Sequence, residues 1–155
     1  MKPKIVERPA MHLVGVRDLF TPATIPQIPA LWGKFVPRIH EIQGTSCHAT
    51  YGVCQDAANG PGTFAYTAAV EVGAPGAAPA GMVAFTLPAG TWAVFTHKGH
   101  ITKISETFDA ISKTWLAAAK LERAANVDLE VYDDRWDPKT GTGDVDIYVS
   151  VKPPK

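Results

Sequence analysis

Asn126-Val127-Asp128-Leu129-Glu130-Val131-Tyr132-Asp133 alternates polar and apolar residues from Asn126 to Tyr132. Read with a period of two, Val127, Leu129 and Val131 form one face of a strand, and Asp128, Glu130 and Tyr132 form the other. A carboxylate in mid-strand, between apolar residues and beside a tyrosine, has two readings. In one, the strand is half-buried in an antiparallel sheet and Glu130 meets water. In the other, Glu130 lies in a recess lined by aromatic rings and binds something cationic.

Moving outward, the connector Asp134–Gly143 carries Pro138, Gly141 and Gly143 and leads to a closing strand over Asp144–Val151. Upstream, a helix is expected over Thr102–Glu122. Ile101, Ile104, Phe108, Ile111 and Trp115 form its buried stripe, with Leu116 beside it. Two strands, Met82–Leu87 and Thr91–His97, flank Pro88-Ala89-Gly90. The Gly/Ala/Pro stretch Gly73–Gly81 reads as a loop at the midpoint of the chain.

The first half follows the same order. A strand over Lys4–Arg17 is interrupted by Pro9, which implies an edge position or a bulge. A helix over Pro26–Gln43 has Ile28, Leu31, Trp32, Phe35, Ile39 and Ile42 on one stripe. Pro37 should kink or divide it, and Gly44 should stop it. Strands over Cys47–Gln55 and Thr63–Val72 follow, linked by turn-forming residues. Both halves thus read strand, helix, strand, strand. Trp32, Tyr51 and Tyr66 in the first are matched at similar spacing by Trp115, Tyr132 and Tyr148 in the second. Repetition of this kind decides the fold class. The expectation is α+β: a tandem βαββ repeat in one domain spanning residues 1–155. The pseudo-repeats cover about 1–75 and 80–155 and pack about a pseudo-twofold axis. Their junction leaves a groove, and ligand sites favour such junctions.

The totals agree with one domain. The chain has 155 residues, 46% hydrophobic and 19% charged, with zero formal net charge. That size buries a core without staples, and no apolar run is long enough to span a bilayer. Zero net charge argues against a broad phosphate-binding surface, so no direct nucleic-acid partner is expected. Cys47 and Cys54 form no CxxC pair. A disulfide between them is permitted by spacing, but the N-terminus lacks the apolar segment of a secretion signal. A cytoplasmic setting is therefore expected, with both thiols as small buried hydrophobes.

If Glu130 is buried, it carries a desolvation penalty that an arriving cation relieves, and aromatic faces add cation–π attraction. Trp32, Tyr66, Trp92 and Trp115 are candidates for those faces, although Trp32 and Trp115 also fit plain core packing on their helical stripes. Trp92 and Trp136 can each line a rim. Glu71, the rival carboxylate, reads as a strand-end surface charge, whereas Tyr66 shares its face with Phe64, Ala68 and Val70. The candidate ligand-binding set is Glu130, Tyr66, Trp32, Tyr51, Trp92, Phe108 and Trp115. His97 and His100 flank Gly99 without a third ligand, so no metal is expected and both read as surface or turn residues. No cofactor motif, serine elbow or P-loop occurs.

The pieces Ile5-Val6-Glu7-Arg8-Pro9-Ala10, Tyr51-Gly52-Val53, Phe64-Ala65-Tyr66 and Leu87-Pro88-Ala89-Gly90 occur in a specific order. With Thr114-Trp115-Leu116, Leu129-Glu130-Val131-Tyr132 and Asp146-Ile147-Tyr148-Val149, that order resembles the GyrI-like, or AraC-type, effector-binding domain over nearly the whole chain. The resemblance implies a tandem βαββ fold that takes hydrophobic, often cationic, small molecules in a central cleft. It implies that Glu130, of the Glu-x-Tyr strand, attracts the ligand's charge and that Tyr66 is a pocket residue. Many relatives carry a DNA-binding domain ahead of this one. Here the chain begins at the first strand, so ligand sensing or sequestration is expected rather than direct transcription control. Some stand-alone relatives hydrolyse reactive electrophiles, which would make Glu130 and Tyr66 catalytic, and others modulate a larger enzyme by contact. Binding is placed ahead of both.

Overall fold

In the computed structural model, which describes residues 1–45, 49–56 and 62–154, nine strands and three helices, the last two joined in one helical segment, form an α+β fold. In chain order they are β1 (Lys4–Arg8), β2 (Met11–Phe20), α1 (Ile28–Phe35), β3 (Thr50–Asp56), β4 (Phe64–Val72), β5 (Val83–Leu87), β6 (Gly90–Lys98), α2 (Ile104–Ala110), α3 (Leu116–Ala118), β7 (Arg123–Tyr132), β8 (Trp136–Asp137) and β9 (Thr142–Val151). All pairings are antiparallel, in the order β1-β6-β9-β7-β3-β4-β2-β5, with β8 attached to β9.

Each half builds one three-stranded sheet, β3-β4-β2 or β7-β9-β6, and the β3–β7 pair welds the two together. Of the two expectations for Pro9, a bulge or an edge position, there is no bulge within one long strand, and the strand that Pro9 follows is an edge strand. Pro9 ends β1, because proline offers no donor to continue the ladder. β1 then pairs with β6 of the second half, and β5, which precedes β6, pairs with β2 of the first. Each half therefore lends its leading strand to the other.

The two links, Arg8-Pro9-Ala10-Met11 and Leu87-Pro88-Ala89-Gly90, dictate the shape of the sheet. Each spans three residues, about 11 Å at full stretch. β1 and β2 are six strands apart, as are β5 and β6, which is about 29 Å in a flat sheet. The sheet must bend to bring these ends together. On the face away from the helices, Met11, Leu13, Tyr51, Val53, Leu129 and Val131 form one buried cluster with Leu87 and Trp92.

The opposite face carries the helices. α1 packs Leu31 and Phe35 over Val14, Phe20, Tyr66 and Val70. The second helical segment packs Ile111 and Leu116 over Ala93, Phe95, Ile147 and Val149. Neither helix has the expected length. α1 is flanked by 3-10 turns over Ile25–Gln27 and Val36–Glu41, because Pro26 and Pro37 interrupt the α pattern. Gly44, with φ of 78°, sits just past the end. The second contains a π turn at Ile111–Trp115 and stops at Ala118 instead of Glu122. Lys120 takes the left-handed conformation, φ 58°, and Arg123 already belongs to β7.

The strand expected from Cys47 starts at Thr50; Cys47 itself and most of the Asp56–Gly62 turn lie outside the described residues, and Cys54 is a free thiol. His97 is buried rather than superficial, since Thr107 Oγ1 (2.6 Å) and the His100 carbonyl (3.0 Å) satisfy both ring nitrogens.

The architecture repeats, but the tyrosine landmarks do not. Tyr51 joins the cluster away from the helices while Tyr132 faces them, and Tyr66 faces them while Tyr148 does not. Spacings that differ by one residue reverse the face of a strand.

Candidate functional site

The β3–β7 weld places Gly52 opposite Glu130, with Ala68 of β4 on its other side. By the alternation of the strands, Gly52, Cys54, Tyr66, Asp128, Glu130 and Tyr132 all point to the helix face. Tyr66 belongs to the cluster under α1, and Cys54 packs against it. Glu130 is 6% exposed and Tyr66 is 1% exposed. A carboxylate so placed needs partners, and it has two phenols. Tyr66 donates to Glu130 Oε1 at 2.8 Å and Tyr132 donates to the same oxygen at 2.7 Å. Trp32 Nε1 donates to the Tyr66 hydroxyl at 3.0 Å, so α1 is tied to the carboxylate through one phenol. Among the described residues no group donates to Oε2.

Glycine at position 52 is what allows this convergence. A Cβ there would overlap the Tyr66 hydroxyl and lie 2.6 Å from Glu130 Oε1. The rings form a chain beside the carboxylate: Trp32 to Tyr132 at 5.5 Å and Tyr132 to Trp136 at 5.3 Å, both edge-to-face. Trp136 rides on the short β8 pair beside Gly143, whose Cβ would overlap the Arg135 carbonyl oxygen. Arg135 locks this corner by pairing with Asp133 and Asp146, each at 2.8 Å.

Burial is the dominant electrostatic influence. It pushes the Glu130 carboxyl above the ordinary range, against the two phenol bonds that favour its charged form; Asp128 adds a smaller push upward. Burial, followed by the Glu130 charge, pushes both phenols and the Cys54 thiol well up. At neutral pH Tyr66 and Tyr132 are therefore donors and Cys54 is an inert thiol. Asp128 is also raised by burial, with Arg123 at 2.7 Å opposing.

Beside this cluster lies a recess of about 300 Å³, walled by Ile39, Ala49, Thr50, Val70, Tyr132 and Asp133. It is mostly apolar and opens to solvent over the start of β3.

Of the residues singled out from sequence, Glu130, Tyr66 and Trp32 come together. Tyr51 and Trp92 belong to the cluster on the far face of the sheet, and Phe108 and Trp115 pack under the second helix, where Trp115 stacks on Phe95 at 5.8 Å. Tyr132 and Trp136 were absent from the sequence-derived set. The period-two reading already put Tyr132 on the Glu130 face. Trp136, read from sequence as a rim candidate alongside Trp92, stands at the edge of the site on the ring of Tyr132. Glu71, expected as a surface charge, is half-buried on the far face. Among the described residues no three His, Cys, Asp or Glu side chains converge as a metal site, and no helix is long and apolar enough to cross a membrane.

The sequence pattern of the GyrI-like small molecule binding domain matches residues 1–152. Transcriptional regulator BrlR of Pseudomonas aeruginosa is 42% identical over 153 residues, which cover 97% of this chain and 56% of that protein. The chain thus spans about half the length of this curated relative. Among solved structures, SAV2435 bound to tetraphenylphosphonium superposes with a TM-score of 0.73 at 18% identity, covering 98% of this chain and 94% of that one. A putative transcription regulation protein from Staphylococcus aureus gives 0.74 at 16% identity, covering 99% of both chains. The EcmrR C-terminal domain gives 0.70 at 14% identity, covering 99% and 98%. At these identities the likeness is one of fold.

Proposed function

This chain belongs to the GyrI-like small-molecule-binding domain family, and from that premise we propose that it captures hydrophobic cations in the groove between its two halves. Glu130 is the charged anchor in this reading, and ligand sensing or sequestration is the outcome. The observation that carries it is the buried Glu130 carboxylate, held by Tyr66 and Tyr132 on one oxygen, with Trp32 and Trp136 packed on those phenols. A carboxylate deprived of water gains more from a cation than from a neutral molecule of the same shape. Aromatic faces add about 1–2 kcal/mol each when desolvated. The adjoining recess gives a lipophilic body an apolar bed. The binding of tetraphenylphosphonium, a lipophilic cation, by the structural neighbour SAV2435 supports the same chemistry.

The test is a tryptophan-quenching titration with N-methylacridinium, a permanent planar cation, and with acridine, its near-isosteric neutral analogue at pH 7.5. The wild-type protein should prefer the cation, and Glu130→Gln should weaken cation binding about 30-fold or more, as loss of one member of a buried charge pair does. Equal affinity for both molecules, or an unchanged Glu130→Gln, would overturn the proposal.

A further inference from the structure

The open recess and the buried carboxylate adjoin without meeting. Glu130, Tyr66 and Trp32 are not among the recess walls, whereas Tyr132 is. Tyr132 is, among the described residues, the one side chain that both walls the recess and donates to Glu130. It is half-buried, with its ring held edge-to-face between Trp32 and Trp136.

We propose that Tyr132 is the gate of this site: its hydroxyl occupies Glu130 Oε1 until a cation in the recess displaces it. This inference rests on the cation-binding reading above and adds how the site excludes the wrong ligand. A neutral molecule that took the phenol's place on Oε1 would break a hydrogen bond to a charged acceptor and put nothing in its place. It therefore stops in the recess. A cation replaces the phenol's donor with its own charge, and the ring, swung off the carboxylate, faces the cation as an aromatic wall. Tyr66 is the other donor to the same oxygen, is fully buried and does not touch the recess. It stays bonded and keeps the carboxylate oriented while Tyr132 moves. One phenol positions and the other competes.

Competition and support predict opposite signs. Tyr132→Phe keeps the ring and its contacts with Trp32 and Trp136 and deletes only the hydroxyl. If the hydroxyl competes, N-methylacridinium should bind this variant about three- to tenfold more tightly, the worth of one net hydrogen bond. Stopped-flow quenching should also show faster association, because one barrier to entry is gone. Weaker binding, or an unchanged affinity and rate, overturns the gate and makes Tyr132 a supporting ligand residue. Tyr132→Leu removes ring and hydroxyl together and should also associate faster, which keeps the test open should the phenylalanine variant fold poorly. Wild-type protein that binds no cation removes the gate and the cation reading together. Wild-type binding that Glu130→Gln abolishes, with no gain in Tyr132→Phe, removes the gate alone.

Discussion

Glu130 is a residue whose placement works against stability. Its folded-state carboxyl is raised by burial, so the folded state holds its proton to higher pH than the unfolded chain does. Stability from this group is therefore fully present below the ordinary carboxylate range near pH 4, falls as pH rises through the raised value, and stays lost at neutral pH. Glu130→Gln, which cannot ionise, should melt about 2–4 °C higher than wild type at pH 8, corresponding to roughly 1 kcal/mol. The difference should vanish at pH 4. Calorimetry at both pH values checks this, and a variant melting lower than wild type at pH 8 would contradict it. Cation affinity should run the other way. It should weaken on acidification at a pH above that of an exposed glutamate, as the anchor loses its charge. This much was legible from sequence, because period-two reading put Glu130 and Tyr132 on one face and Tyr66 among bulky neighbours. Cross-strand register was not legible. Without it, Tyr51 and Trp92 could not be assigned to the far side of the sheet, nor Trp136 chosen over Trp92 as the ring at the edge of the site.

The helices differ most from what their sequences imply. Both apolar stripes are real, yet α1 is eight residues long between two 3-10 turns, and the second segment contains a π turn. Periodicity tells which side chains face the core but says little about which hydrogen-bond pattern closes each turn. Pro26, Pro29 and Pro37 each remove a donor from the first segment, and 3-10 geometry weakens the bonds that remain. Hydrogen exchange should show the amides of residues 25–41 opening on the order of a hundredfold faster than those at the centres of β4 and β9. Protection equal to that of the central strands would mean that tertiary packing alone stabilises the segment. Because Trp32 lies on α1 and bonds Tyr66, opening of this element reaches the carboxylate directly.

At the scale of the whole molecule, the tandem repeat was readable from the order of elements, and the bent nine-stranded sheet was not. The reciprocal loan of β1 and β5 depends on pairings as distant as Lys4 with Val94 and Met11 with Leu87, which no local pattern encodes. Its energetic weight can be measured. Deleting Met1–Arg8 removes β1 from β6, takes Val6 from its cluster and removes the Arg8 guanidinium from the face of Tyr148, 5.3 Å from the ring centre. The truncated chain should melt about 4–10 °C lower. It should also form concentration-dependent oligomers by light scattering, because β6 then presents an unpaired edge. A monodisperse protein with an unchanged melt would show that β1 contributes little.

The exchanged strands also make the two halves hostages to each other. A chain cut in the Gly73–Gly81 loop would not yield two free modules. Each fragment would carry a strand that completes its sister's sheet and would lack one of its own, and the carboxylate and its partners would be divided between them. Tyr66 and Gly52 would lie in one fragment, Glu130 and Tyr132 in the other. Reassembly and ligand capture would then be a single equilibrium, each strengthening the other by mass action. Severed in this way, the fold is a two-part switch in which the small molecule acts as the fastener.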